Sequence, residues 1–209
     1  MQPCVPVSPP QPVLTVRCAA AQQTAARLLE PLGDRWLHTV GVARRAAELA
    51  EPLGLEADVL VAAAWLHDVG YARVAVATGF HPLDGARYVA GQLWPPRIVG
   101  LVAHHSGARF VATARGLGLA LAAYPDEGGP MSDALTYVDQ TVGVTGQPVT
   151  VSERRAEMLG RHGPDSWNAR VDHIRGPHLR AMVARVERRL RHSCGATRDP
   201  ADAAPPRRR

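Results

Sequence analysis

Between residues 57 and 66 the chain reads Ala-Asp-Val-Leu-Val-Ala-Ala-Ala-Trp-Leu, apolar at every position after Asp58. A helix without a polar face is buried on all sides, so this stretch predicts a central helix of about 56–68, ended by Gly70. Elsewhere apolar positions recur at spacings of three and four, the period of an amphipathic helix. His38, Val42, Ala46 and Leu49 form one such stripe, in a helix of about 35–51 with Asp34 as N-cap and Pro52 and Gly54 as terminators. Leu135, Val138, Asp139 and Val142 form another, in a helix of about 133–142 capped by Ser132. Further helices are predicted at about 21–31, at 82–92 with Pro82 in first position, and from Pro95-Pro96 to about 105. The last are at 152–162 and 166–192, the second with Val171, Ile174, Leu179, Met182, Val183, Val186 and Leu190 as its packing face and Gly176-Pro177 as a place to break. The best strand signal, Val149–Val151, is short, and the prediction is an all-α fold. Pro-rich residues 1–20 and basic residues 193–209 read as disordered tails. Between them lies one helical domain, 21–192, with a core at 35–142 and C-terminal helices at 150–192.

Composition adjusts this picture in three places. Hydrophobic residues make up 46% of the chain but aromatics only 5%, so Ala, Leu and Val must fill the core. All 24 basic residues are arginine, and a chain without lysine is neither a P-loop NTPase, nor a Schiff-base enzyme, nor a Ser-Lys hydrolase. The net charge of +5 is unevenly spread: residues 170–209 hold 11 Arg against Asp172, Glu187, Asp199 and Asp202. That end reads as a solvated helix face and tail, and nucleic acid is not an expected partner. No apolar run reaches the roughly 18 residues of a membrane span, so no membrane contact is expected. No secretory signal is visible. Cys4, Cys18 and Cys194 lack ligand spacing, which predicts a reducing, cytoplasmic setting.

The chemistry lies where polar groups interrupt apolar stripes. His67-Asp68 ends the helix predicted to be buried all round, and burying a carboxylate costs several kcal/mol unless something pairs with it. His38 and Asp139 stand on inward stripes of two other helices. A lone buried His is most often a hydrogen-bonded core residue, but four such groups together point to a shared cation. His81, before Pro82, and the pair His104-His105, at the end of an apolar helix, extend the set. Ile98, Leu101 and Val102 place His105 on the stripe at least as well as His104, so periodicity leaves that choice open.

His38, His67-Asp68 and Asp139 resemble, in order and spacing, the H…HD…D pattern of the HD-domain superfamily of metal-dependent phosphohydrolases. Leu-His-Asp-Val-Gly-Tyr (66–71) looks like that family's central motif. His-Pro-Leu-Asp-Gly-Ala-Arg (81–87) and Ala-His-His-Ser-Gly (103–107) are similar to the added histidines of its two-metal members. The resemblance implies a metal held by His38, His67, Asp68 and Asp139, with Asp68 bridging to a second held by His81 and His104. Alignment with the two-metal pattern favours His104 over His105, which then becomes a substrate contact. It also implies a water-activating centre at Asp68 that attacks a phosphomonoester or phosphoanhydride of a nucleotide or other small phosphorylated metabolite. Mixed imidazole and carboxylate ligands suit Fe or Mn, with Zn and Co as alternatives. Many two-metal relatives carry Lys where this chain has Tyr71, so a cationic substrate contact must come from elsewhere; Arg44, Arg45 and Arg87 are the candidates near ligand positions. The Gly-Tyr-Pro signature of the cyclic dinucleotide branch is absent. A di-iron oxygenase built on the same ligands, and a non-catalytic regulatory module, remain as alternatives. Whether the C-terminal helices form a homo-oligomer contact is left open.

Overall fold

The computed structural model describes residues 15–196. The expected tails at 1–14 and 197–209 lie outside the described residues, but residues 16–20 are helical. Helix α1 (Val16–Leu29) starts earlier than predicted because Thr15 caps it, accepting from the Cys18 amide at 3.2 Å. Cys18, Ala21, Ala25 and Leu29 form its buried stripe. So Cys18, assigned by sequence to a tail, is a core residue. Asp34 is the first residue of α2 (Asp34–Ala50) rather than its cap; Gly33 precedes it, with no side-chain cap.

Helix α3 (Ala57–Leu66) is the centre of the fold, and every residue from Val59 to Leu66 is buried. It packs against α1 and α2 on one side, and against α5 (Pro96–His104) and α8 (Gly129–Gln140) on the other. A 3-10 turn over Val69–Tyr71 leads from its end towards α4 (His81–Gly91). Between α5 and α8 run α6 (Ala108–Ala114) and α7 (Gly118–Ala122), both unpredicted and too short to show a period. Ser132 lies inside α8 and is buried; Gly128 precedes the helix, and Pro130 occupies its first turn.

Among the described residues no strand forms at Val149–Val151. A tight turn instead pairs Val142 with Pro148 in an isolated bridge, and Val151 begins α9 (Val151–His162) behind a Thr150–Glu153 capping box. The long C-terminal helix breaks at Val171, not at Gly176-Pro177, giving α10 (Trp167–Arg170) and α11 (Asp172–Ala196). Pro177 removes one intrahelical hydrogen bond without ending α11. That helix is pinned to α8 by Arg185, whose guanidinium reaches both oxygens of buried Asp133 at 2.6 and 2.8 Å. No described helix is long and apolar enough to cross a membrane.

One close approach governs the site. A Cβ on Gly70 would lie 2.0 Å from the His81 carbonyl oxygen and 2.6 Å from the Gly85 amide nitrogen. Only a residue without a side chain lets the turn after Asp68 seat against the start of α4. Gly70→Ala is expected to destabilise the protein by about 3 kcal/mol through overpacking. For a chain of this size that lowers Tm by about 6–12 °C in a calorimetric melt. An unchanged Tm would show that the two segments can part without loss.

Candidate metal centre

Three helices end at one place. His67 and Asp68 follow the last turn of α3, His105 follows that of α5, and Asp139 lies in that of α8. Their C-termini carry partial negative charge, which favours a cation there. The ends also set the histidine tautomers. His67 Nδ1 donates to the Ala64 carbonyl at 2.7 Å, and His105 Nδ1 to the Val102 carbonyl at 2.7 Å, each three residues back. These are terminal carbonyls that a helix leaves without partners. His38, from α2, donates through Nδ1 to the Gly143 carbonyl at 3.2 Å. A carbonyl can only accept, so in each neutral imidazole the Nε2 carries a lone pair, and each Nε2 faces inward.

Most of what those lone pairs meet is further acceptors, the Arg154 guanidinium beside His38 excepted. His38 Nε2 is 3.0 Å from Asp139 Oδ1, and His67 Nε2 is buried without a hydrogen-bond partner. His81 Nε2 is 3.2 Å from His105 Nε2 and 3.4 Å from Asp68 Oδ1. Two sets of donor atoms result, His38–His67–Asp139 and Asp68–His81–His105, with the atoms in each set within 4.8 Å of one another. Asp68 joins them: its other oxygen, Oδ2, lies 3.4 Å from His67 Nε2 and 3.9 Å from His38 Nε2. Imidazole nitrogens and carboxylate oxygens converging this closely, with His67 Nε2 left without any partner, fit a divalent cation as the missing partner.

Protonation agrees with this for most of the set. Burial lowers His38, His81 and His105, which keeps them as neutral ligands. Burial also works to raise Asp68, but Arg35, His67 and His81 outweigh it and hold the carboxyl well below its usual range. Asp139 is likewise held low, the His38 contact and Arg154 overcoming burial. His67 goes the other way. Burial pulls it down, yet the attraction of Asp68 and then Asp139 leaves it raised. The two carboxylates that would hold a proton there would equally hold a metal ion.

The predicted ligands His38, His67, Asp68, His81 and Asp139 are thus brought together, and His104 is not. His104 Nε2 lies 3.0 Å from the Tyr124 carbonyl, on the far side of the helix end, while His105 turns inward. His105 belongs with the donor atoms rather than with a substrate contact. The arginine candidates also fall elsewhere. Arg44 is exposed and bonds the Gly146 carbonyl, Arg45 pairs with Glu48, and Arg87 is exposed away from the cleft.

The cleft over the centre has a basic wall that was not foreseen: Arg35, Arg154, Arg161 and Arg175 line it together with Asp68, His81 and Asp139. Arg35 stacks on the Tyr71 ring at 4.1 Å and bonds Asp68 Oδ2 at 2.6 Å. A guanidinium therefore lies across the ring of Tyr71, beside the position where the sequence lacks a cationic residue. Tyr71 also stacks on His81, with ring centres 4.1 Å apart. Its hydroxyl is pushed up to about 12 by burial and then by Asp68, so it stays neutral. Arg154 Nη2 comes within 3.3 Å of His38 Nε2 and 3.5 Å of Asp139 Oδ1. Ser106 and Gln140 both donate to Asp139 Oδ2. Ser106 does so from a left-handed backbone (φ 51°), a conformation costly outside glycine and typical of functional sites.

Compared with curated proteins and with solved structures, the chain has no match. A family model does match: that of the HD domain, over residues 35–138. The matched segment carries His38, His67, Asp68, His81 and His105, and the all-helical fold is the one expected of it. With a buried histidine and aspartate cluster suited to a divalent metal at its heart, the chain belongs to the HD-domain family.

Proposed function

We propose that the protein is a metal-dependent phosphohydrolase acting on a phosphomonoester or phosphoanhydride of a small metabolite, nucleotides included. The observation that carries this reading is a double set of donor atoms, buried except for half-buried His81, joined by Asp68 and opening into an arginine-lined cleft. His38, His67, Asp139 and one oxygen of Asp68 would hold one ion; the other oxygen of Asp68, with His81 and His105, would hold a second. Imidazole and carboxylate donors suit Fe or Mn, then Zn or Co. Such ions, when bound, lower the pKa of water towards neutrality and offset charge on phosphoryl oxygens.

The chain's own residues do the rest. Arg35 and Arg154 reach the donor atoms from the cleft side, where a guanidinium fork can take phosphoryl oxygens. Ser106 and Gln140 fix the orientation of Asp139, and the Gly143 carbonyl that of His38. Tyr71, half-buried and neutral, braces His81 and Arg35 against its ring. No side-chain nucleophile is required.

The test is metal analysis of the purified protein, followed by phosphate release from a panel of phosphate esters and anhydrides. His81→Ala should cut turnover by about a hundredfold while leaving the fold intact, the scale of losing a group that holds or orients a metal. Unchanged turnover in that variant would reject the second ion. Dioxygen uptake without phosphate release would replace the hydrolase with an oxygenase. Bound metal with no turnover on any ester would leave a binding module.

A further inference from the structure

Arg175 differs from the other arginines of the cleft. Arg35 is paired with Asp68, Arg154 with Asp139 and Glu157, and Arg161 with Glu157. Arg175 is only 7% exposed and, among the described residues, has no carboxylate within ion-pair distance. Its Nε donates to the Ser106 carbonyl at 2.9 Å, and its Nη1 is buried with no partner. A buried guanidinium with no carboxylate in direct contact is costly, and Asp139 and Asp172 attract this one only from beyond ion-pair reach. It also stands on the inward face of α11, between Val171 and Leu179, where the helical period calls for an apolar residue. Ile174, assigned to that face from sequence, is 48% exposed instead.

The position of Arg175 ties it to the centre. Ser106, whose carbonyl it holds, bonds Asp139 through its hydroxyl. Arg161 and Asn168 line the same cleft. The local field is positive: burial, then the charges of Arg161, Arg35 and Arg175, press the His162 imidazole below its usual range. One phosphoryl group at the donor atoms would engage Arg35 and Arg154 and leave Arg175 without an anion in direct contact.

We infer that Arg175, with Arg161 and Asn168, forms a second oxyanion subsite beside the metal centre, and that the substrate carries a second phosphoryl or carboxylate group next to the phosphoryl group that is cleaved. The cleavage rests on the phosphohydrolase reading, whereas the binding does not. A planar guanidinium with a free N–H matches either oxyanion, and an Arg fork binds them in the same geometry.

The full-length, metal-loaded protein is titrated by calorimetry with inorganic phosphate, methylenediphosphonate and phosphonoacetate. The doubly anionic probes are expected to bind at least about tenfold tighter than phosphate, the worth of one hydrogen bond to a charged group. The better of the two identifies the second group as phosphoryl or carboxylate. Arg175→Met should remove that advantage while changing phosphate affinity by less than about twofold. Arg161→Gln, at the half-open rim and safe for folding, should remove part of it. In turnover, both variants should raise KM for the two-anion substrate and spare kcat. Equal loss of all three probes would make Arg175 a structural support of Ser106 and overturn the inference, as would no change in either variant. If no ester is hydrolysed but the probe selectivity holds, the hydrolase reading fails and the subsite stands.

Discussion

Asp68→Ala is expected to empty the centre and abolish hydrolysis, lowering turnover by roughly a thousandfold or more. Among the described residues Asp68 is the one with an oxygen near each donor set: Oδ2 beside His67 and His38, and Oδ1 beside His81. Removing it divides one site into two incomplete ones. It also strands Arg35, whose partly buried guanidinium bonds the same carboxylate. Breaking a buried pair from one side costs about 3–5 kcal/mol, and the small exposure of Arg35 puts this case at the lower end. Asp68→Asn separates the two effects. The amide keeps the volume and a hydrogen-bonding oxygen, so the variant should stay folded, yet it has no charge with which to join two cations. The measurements are metal content per chain, phosphate release, and the rise in Tm on adding Mn. Wild type should gain stability from the metal because the folded state alone assembles the site. An Asp68→Ala protein that retains metal and turnover would remove Asp68 from the centre.

The second large effect separates two neighbours. His105→Ala is expected to lose at least about a hundredfold in turnover together with metal from the Asp68–His81 side. His104→Ala should stay within about twofold and lose only about 1 kcal/mol of stability, the net worth of its bond to the Tyr124 carbonyl. The comparison is made with both variants at saturating metal. A reversed outcome, with His104 essential and His105 silent, would mean that the end of α5 is turned the other way in the working protein.

That pair also shows where sequence reasoning carried and where it stopped. His38, His67, Asp68 and Asp139 were legible because each interrupts an apolar stripe, and the helical period aims such residues inward. For the adjacent histidines the period left the choice open, and the family pattern pointed to His104. The chain leaves α5 at His105 with an extended ψ of 153°, and that turn carries His105 to the cluster. Arg35 was readable in principle, three residues before His38 on the same face of α2. Arg175 was readable too, as a charge on an apolar stripe, although its neighbour Ile174 drew the assignment. Arg154 was not. Its place depends on the turn at 143–148 folding α9 back over α2, a tertiary event that no local pattern records. The early start of α1 was hidden by the prolines before it, although its stripe of small residues from Cys18 to Leu29 was visible.

The segment shared with the family stops at residue 138, one position short of Asp139. Beyond that boundary lie the carbonyl that orients His38, the partner glutamine of Asp139, and Arg154 and Arg175. Gly41 receives Gly146 so closely that a Cβ there would sit 2.6 Å from its carbonyl oxygen, which welds the downstream turn to the motif-bearing helix. A transplant of the motif segment into another scaffold would therefore carry over five of the six gathered ligands, with His67 and His105 still oriented by the Ala64 and Val102 carbonyls, and leave behind Asp139 and the carbonyl that orients His38. In this chain, most of the basic wall, Arg154, Arg161 and Arg175 beside Arg35, is set by the polypeptide that follows the matched segment.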